Sequence, residues 1–265
     1  MIGFIGGGNM AEAIVKGVVS QKPEVRSELL VSEPNEERRR YLEQTHGIRT
    51  TPDNKQVASS CGIIVLAIKP QNMDAVLEEI KDSIGEEKIV VSIAAGITLS
   101  YLHSKLRTKK LVRVMPNTPA LVQEGMSVLS MCECFSENEI LPVREIFMSV
   151  GKVLTLPEKY MNAVTALSGS GPAFIALFTE SLISAGTGLG LSEGNSYELA
   201  VQTLIGTGKL LDTGMTPTKL REMVTSPGGT TAAGLKVFEE KGIRNIVSEV
   251  LSAAKKRAEE LGKTS

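Results

Sequence analysis

The residues best suited to chemistry come first in the chain. Gly6-Gly7-Gly8-Asn9-Met10-Ala11 is a G-x-G-x-x-A turn between an apolar run, Met1-Ile2-Gly3-Phe4-Ile5, and a segment in which Met10, Ile14, Val15, Val18 and Val19 recur at spacings of three and four. This pattern predicts strand, turn and helix in immediate succession. Such a turn suits a dinucleotide. Gly6 permits the tight bend, Gly8 lets the backbone approach a pyrophosphate, and Ala11 lets the helix lie close on its strand, while N–H groups at the helix start face the anion. A second anion receptor stands near the other end, in Thr225-Ser226-Pro227-Gly228-Gly229-Thr230-Thr231. Ser226, Thr230 and Thr231 offer hydroxyls, and Gly228 and Gly229 expose amides ahead of a helix expected to begin near Ala232, a natural seat for a substrate carboxylate. Helix capping alone would also account for these residue types.

The elements that must position these residues follow from the apolar pattern. Leu29-Leu30-Val31 predicts a second strand ending at Ser32-Glu33-Pro34, with a charged helix from Glu36 toward Gln44. The end of that strand is where an adenosine ribose would be read. Glu33 supplies a carboxylate for a 2′-hydroxyl, which favours NAD, and Arg38, Arg39 and Arg40 supply positive charge for a 2′-phosphate, which favours NADP. Three consecutive helical residues point in different directions, so most of that arginine run is expected on a solvated face. Further β-branched runs end at Lys69-Pro70, at Ala95-Gly96 and at Pro116-Asn117-Thr118-Pro119, as strands of a doubly wound, mostly parallel α/β sheet do at their ligand-binding edge. Strand-like runs continue through Met126 to Met131 and Lys152 to Leu156 and then cease. The expected division is therefore a dinucleotide-binding domain over residues 1–157 and an all-helical domain over 158–265.

The helical half is rich in Ala, Gly and Ser and poor in aromatics, so it does not easily close a core alone; an intertwined homodimer is the expected remedy. Lys+Arg 29 against Asp+Glu 30 points to neither a nucleic-acid surface nor an acidic tail, which leaves small molecules as the expected ligands. Cys61, Cys132 and Cys134 have no metal-ligand spacing and are expected as reduced core thiols; no metal site is expected. His46 and His103 are expected at the surface. No uninterrupted apolar segment of membrane-spanning length is seen, nor a charged leader ahead of the first strand, and the expectation is a cytoplasmic protein without a membrane partner.

Six segments, taken in order, resemble pyrroline-5-carboxylate reductases: Gly3 to Ala11, Ala67-Ile68-Lys69-Pro70, Ala94-Ala95-Gly96, Met115-Pro116-Asn117-Thr118-Pro119, Ala166-Leu167-Ser168-Gly169-Ser170-Gly171-Pro172-Ala173, and Ser226 to Thr231. The resemblance implies a Rossmann domain followed by a helical dimerisation domain, with dimers often assembled into rings. The implied reaction is hydride transfer from NADPH or NADH to the cyclic imine of 1-pyrroline-5-carboxylate, giving L-proline. By family position Ile5, Gly6, Gly7, Gly8, Asn9, Met10, Asn54, Ala67, Ile68, Lys69, Pro70, Ala94, Ala95 and Gly96 contact the cofactor. Glu158, Thr230 and Thr231 lie near the substrate, with the Thr231 hydroxyl beside the ring nitrogen. Two positions depart from the family: Glu33 stands where NADPH-using relatives commonly carry serine or threonine, and Met223 stands near where some carry an asparagine. Rival readings are a β-hydroxyacid-dehydrogenase-like enzyme and a non-catalytic NADP-binding homologue. No Lys, Arg or His occurs between Tyr160 and Gly208, where such a dehydrogenase places its lysine.

Overall fold

The computed structural model describes residues 1–132 and 134–263. It contains two compact units, one of residues 1–170 with the C-terminal stretch from Ala253, the other Gly171–Ser252. In the first unit, eight strands form one sheet among the described residues: β1 Ile2–Ile5, β2 Leu29–Ser32, β3 Arg49–Thr51, β4 Ile63–Leu66, β5 Ile89–Ser92, β6 Leu111–Met115, β7 Gly125–Met131 and β8 Gly151–Thr155. Their order is β3-β2-β1-β4-β5-β6-β7-β8. All neighbours pair in parallel except β6 with β7. The order therefore reverses between β1 and β4, where a doubly wound sheet opens a ligand crevice at its carboxyl edge.

The β-branched runs are strands because both sheet faces are covered. On one face Phe4, Val31, Val65, Val91 and Val112 pack with Ile14, Val15 and Val18 of α1 (Asn9–Gln21), with Leu42 of α2 (Glu36–His46), and with Ile140, Val143 and Phe147 of the helix Glu137–Met148. On the other, Ile5, Leu30, Ile64, Leu66 and Val90 pack with Val57 of α3 (Asn54–Ser60), with Met73, Leu77 and Ile80 of α4 (Met73–Ile80), and with Leu102 of α5 (Leu99–Lys105). Successive residues of one strand thus serve opposite faces. The helix α6 (Glu137–Met148) opens on a Ser136–Glu139 capping box. The short helices start where side chains satisfy free amides: Asp53 Oδ1 accepts from Lys55 N–H at 2.8 Å, and Thr98 Oγ1 from Tyr101 N–H at 3.1 Å.

After α7 (Met161–Val164) the Ser168-Gly169-Ser170-Gly171-Pro172 segment widens the helix rather than ending it. Thr165–Gly169 is a π turn closed by Ser170 N–H to Thr165 O at 2.8 Å, and α8 (Gly171–Gly188) follows at once, with Pro172 in its first turn where its missing N–H costs nothing. The second unit holds α8, α9 (Glu193–Asp212), α10 (Pro217–Met223), α11 (Thr230–Glu240) and the start of α12 (Ile243–Lys263). Among its described residues only Ser196 is buried, whereas Ile175, Leu177, Phe178, Leu182, Leu199, Leu204 and Ile205 lie exposed.

Three expectations are corrected here. No apolar segment of membrane-spanning length is expected, yet the helical run Glu158–Gly188 is long and apolar enough by length and composition to cross a membrane, with 17% of its apolar stretch buried; the widened turn keeps the run continuous through its glycines and Pro172. Cys61 is a buried core thiol whose pKa burial raises, but Cys132 is half-buried and Cys134 exposed beyond β7, and the two are joined as a disulfide with Cα atoms 5.2 Å apart. The side chain of His46 is not a surface group: it is 8% exposed, against Glu12 of α1.

An apolar side chain left in water forgoes about 1.5–3 kcal/mol of burial, so the exposed row on α8 and α9 needs a cover. A second copy of the chain is the expected cover. Sedimentation velocity at micromolar concentration should show no monomer, and Leu177→Asp with Leu204→Asp should produce monomers that lose helix content; a stable monomer of the unmodified chain would contradict this.

Candidate active site

The carboxyl ends of β1, β2, β4 and β5 are joined into one edge by backbone hydrogen bonds. Gly6 N–H donates to Ser32 O at 2.9 Å, Ala67 N–H to Ile5 O at 2.8 Å, and Ile93 N–H to Leu66 O at 3.2 Å. Gly6 turns with φ 99°, and a Cβ there would stand 2.6 Å from the carbonyl oxygen of Ala67. No side chain fits, and the conformation itself favours glycine. Gly7 is pressed against Leu42 and Glu33, where a Cβ would approach to 2.9 and 3.1 Å. Gly8 is different. A Cβ on it would meet no protein atom within 4 Å, so nothing in the protein's own packing asks for glycine there.

That open space fits the cradle of a dinucleotide. Gly8 is the N-cap of α1 and carries no side-chain cap; the first amide bonded inside the helix is that of Glu12, to Gly8 O at 2.9 Å. The amides of Asn9, Met10 and Ala11 are left at the positive end of the helix, beside a glycine that leaves room for an oxyanion. Ala11 itself is buried on the sheet. A pyrophosphate is the ligand this arrangement accommodates.

The next residues lie along the same edge. The carboxylate of Glu33, just past β2, accepts Gly7 N–H at 3.0 Å on Oε2 and Asn35 N–H at 3.0 Å on Oε1. It is thus fixed beside the glycine turn, at the ribose-reading end of β2. Two of the three arginines fold back toward it, more than a solvated face would provide: Arg38 Nε donates to Gly7 O at 2.7 Å, and Arg39 donates to Glu33 O at 2.7 Å and to Pro34 O at 2.8 Å. Arg40 stays on the surface with Glu36. Asn54, at the start of α3, accepts the Ser32 hydroxyl at 2.7 Å and donates to Glu79 at 2.9 Å, half-buried at the same edge. Ala67 and Ile68 are half-buried and Lys69 and Pro70 exposed beyond β4; Ala94 is buried and Ala95 half-buried beyond β5. Gly96, with φ 83°, abuts the backbone of Leu261 and Gly262 in α12 at 3.2 and 3.4 Å from a would-be Cβ, so its glycine is explained by the chain itself.

The helical motif builds the second receptor locally. Ser226-Pro227-Gly228-Gly229 is a turn closed by Gly229 N–H to Ser226 O at 3.1 Å, with Gly228 at φ 72°. Gly229 caps α11 without a side chain, so the amides of Thr230 and Thr231 and the hydroxyls of Ser226, Thr230 and Thr231 remain for a ligand. The helix begins two residues before the expected Ala232 because the turn already delivers the chain in register. Met223, the last residue of α10, is exposed.

Glu158, expected near the substrate, is held through one carboxylate oxygen by partners within its own unit. Its Oε1 accepts Leu99 N–H at 2.8 Å, at the start of α5, and pairs with Arg113 of β6 at 3.2 Å; the Arg113 side chain is 5% exposed. The M-P-N-T-P segment has an equally local task. Asn117 accepts Met126 N–H at 2.8 Å and donates to Ser168 O and Oγ at 3.3 and 3.2 Å, while a Cβ on Gly169 would stand 2.6 Å from Met115 Cε. The loop after β6 and the π turn are thus one packed unit, which proximity in the chain does not reveal.

Fold and edge define a dinucleotide-binding protein of the doubly wound α/β class, joined to a helical unit with an uncovered apolar face. Family models agree on both parts: one described as pyrroline-5-carboxylate reductase dimerisation matches residues 158–261, and one described as NADP oxidoreductase, coenzyme F420-dependent, matches residues 1–96. A pyrroline-5-carboxylate reductase from Synechocystis is 40% identical over 263 residues, covering 99% of this chain and 98% of that one. Among solved structures, a pyrroline-5-carboxylate reductase from Coxiella burnetii superposes with a TM-score of 0.92 at 36% identity, covering 98% of this chain and 97% of that one. A pyrroline carboxylate reductase from Plasmodium falciparum, solved with NADP bound, gives a TM-score of 0.86 at 32% identity over 98% and 97% of the two chains. The chain belongs to the pyrroline-5-carboxylate reductase family.

The placement of Glu158 yields a test. Glu158→Ala leaves Arg113 charged and nearly dry, so it should lower unfolding free energy by about 2–4 kcal/mol, and adding Arg113→Met should restore much of that. An unchanged urea midpoint together with a raised KM for substrate would instead return Glu158 to the substrate site.

Proposed function

We propose that the protein is a pyrroline-5-carboxylate reductase, which reduces the cyclic imine of 1-pyrroline-5-carboxylate to L-proline with NADPH or NADH. The observation that carries this reading is the conjunction of an open, uncapped glycine turn at the sheet's switch point with a second uncapped helix start bearing three free hydroxyls. The first suits a pyrophosphate and the second a small carboxylate. A bound dinucleotide would supply a hydride, one proton with two electrons, to the imine carbon that becomes C5 of proline.

The residues of the chain bind and orient. Ile5 to Met10, with Asn54, Ala67 to Pro70 and Ala94 to Gly96, form the cofactor edge, and the amides of Asn9 to Ala11 receive the pyrophosphate. Ser226, Gly228, Gly229 and Thr230 hold the substrate carboxylate, and the Thr231 hydroxyl stands at the ring nitrogen. That nitrogen is protonated before hydride arrives, so the C=N bond is already polarised and the nitrogen keeps its proton as the electron pair falls onto it. No strong base is required, which agrees with a helical segment lacking Lys, Arg and His between Tyr160 and Gly208. Catalysis then rests on orientation and on excluding wrong approaches.

The remaining parts of this reading concern organisation. Residues 1–157 serve as the cofactor domain and 158–265 as the substrate and dimerisation domain. The apolar run Glu158–Gly188 is covered by a second copy rather than by lipid, dimers assemble further into a ring, and the protein works in the cytoplasm.

Two measurements test the chemistry. Thr231→Ala should lower kcat for imine-dependent NADPH oxidation by about tenfold or more with cofactor affinity nearly unchanged, and an unaffected kcat/KM removes Thr231 from the mechanism. Glu33 sets a second expectation. A carboxylate beside a 2′-phosphate in a partly desolvated cleft costs about 1–3 kcal/mol, so both cofactors should be used, and Glu33→Ser should move the preference toward NADPH. If the unmodified enzyme prefers NADPH by about a hundredfold and Glu33→Ser leaves that ratio alone, Glu33 does not face the ribose.

A further inference from the structure

Four side chains meet beside the glycine turn, between α1 and α2. Glu12 Oε2 pairs with Arg38 Nη2 at 2.6 Å, and its Oε1 accepts Tyr41 O–H at 3.0 Å and lies 3.1 Å from His46 Nε2. The Arg38 guanidinium also stacks over the Tyr41 ring, 5.1 Å from its centroid. Burial pushes the Glu12 carboxyl up, but hydrogen bonds from His46, Arg38 and Tyr41 together outweigh that and hold it below its ordinary value of 4.5. Glu12 is therefore a carboxylate at neutral pH. Gly7, between these groups, is gripped from both sides: its N–H donates to Glu33 at 3.0 Å and its carbonyl accepts from Arg38 at 2.7 Å. Glu33, the ribose-facing acid, and Arg38 thus hold the same residue through its two flanking peptide groups.

We propose that Glu12 is a specificity-determining residue for the dinucleotide: it fastens Arg38 to the glycine turn, neutralises it there, and so withholds that guanidinium from a ribose 2′-phosphate. The proposal rests on the dinucleotide reading of the Gly6–Ala11 turn. Its physics is charge arithmetic at short range. Two opposite charges at contact distance present a dipole to a third group, and the pull on an anion falls off much faster than that of a lone cation. Arg38 has Nε and Nη2 already committed, and both partners are partly buried, so salt screens the pair less than it would a surface pair. Arg39, bound to backbone carbonyls and facing no carboxylate partner in these contacts, keeps its charge available to a 2′-phosphate.

The test uses the full-length protein and two probes, ADP-ribose and its 2′-phosphorylated form, titrated by calorimetry. The quantity of interest is the ratio of their affinities. Glu12→Gln keeps the size and most hydrogen bonds of the side chain but frees the Arg38 charge, and should raise the ratio in favour of the phosphorylated probe by about fivefold. Arg38→Gln leaves Glu12 as an unpaired anion and should lower it by about as much. The double variant exchanges a neutral pair for a neutral pair and should return close to the unmodified ratio, which a merely structural clamp on Gly7 would not do. NADPH/NADH ratios of kcat/KM should follow the same pattern. If both probes bind and Glu12→Gln leaves the ratio alone, the proposal is overturned while the dinucleotide site stands. If neither probe binds the unmodified protein, the site itself is wrong and the proposal falls with it. Should Glu12→Gln fail to fold, Arg38→Gln decides alone, and a ratio there that is unchanged or raised overturns the proposal.

Discussion

At Gly6 the chain leaves β1 with φ 99°, and the room a Cβ would need is already filled by the carbonyl of Ala67, 2.6 Å away. That contact is unavoidable, because β1 and β4 are paired neighbours at the point where the strand order reverses and Ala67 N–H is bonded to Ile5 O at 2.8 Å. The chain must turn within a residue or two and start α1 without a capping side chain. Everything that can hold a cofactor depends on that turn. It leaves the first amides of α1 unpaired and opens space at Gly8. It also places the Gly7 peptide where Glu33 can take its N–H and Arg38 its carbonyl.

The two units differ in what stabilises them. The first buries apolar side chains on both faces of its sheet, from Phe4 and Phe147 on one side to Met73 and Leu77 on the other. The second presents Leu177, Phe178, Leu199 and Leu204 to solvent and buries only Ser196 among its described residues. A helical unit of this kind has little to gain by folding alone, since the burial that offsets chain entropy is absent. Its stability comes with association, which is what the match to a dimerisation family model implies.

The strands and the glycine turn were legible in the sequence because their signals are local. A β-branched run bounded by Gly or Pro reports a strand covered on both faces, and G-x-G-x-x-A between such a run and a helical period reports a turn. The short helix α3 is not legible in the sequence, since seven residues carry too little periodicity and its start depends on the single cap Asp53. The π turn at Thr165–Gly169 has no local signature that separates it from a glycine-rich break, and its partner, Asn117, is some fifty positions earlier in the chain. The candidate site divides in the same way. Gly6 to Ala11 and Ser226 to Thr231 could be located from spacing, but the tasks of Glu158, His46 and Arg38 come from partners far away in sequence: Arg113, Glu12 and Gly7. An acidic residue directly after the dinucleotide turn, the fourth of α1, with an arginine-rich second helix to follow, is the available clue to Glu12.

The central claim is that this chain moves a hydride from a dinucleotide to a cyclic imine. NADPH carrying deuterium at the transferable position of nicotinamide C4, incubated with the purified protein and 1-pyrroline-5-carboxylate in ordinary water, follows that hydride directly. L-proline should form with one deuterium at C5, in amount equal to the dinucleotide oxidised. Proline without deuterium, or oxidation of the dinucleotide that yields no proline, would contradict it.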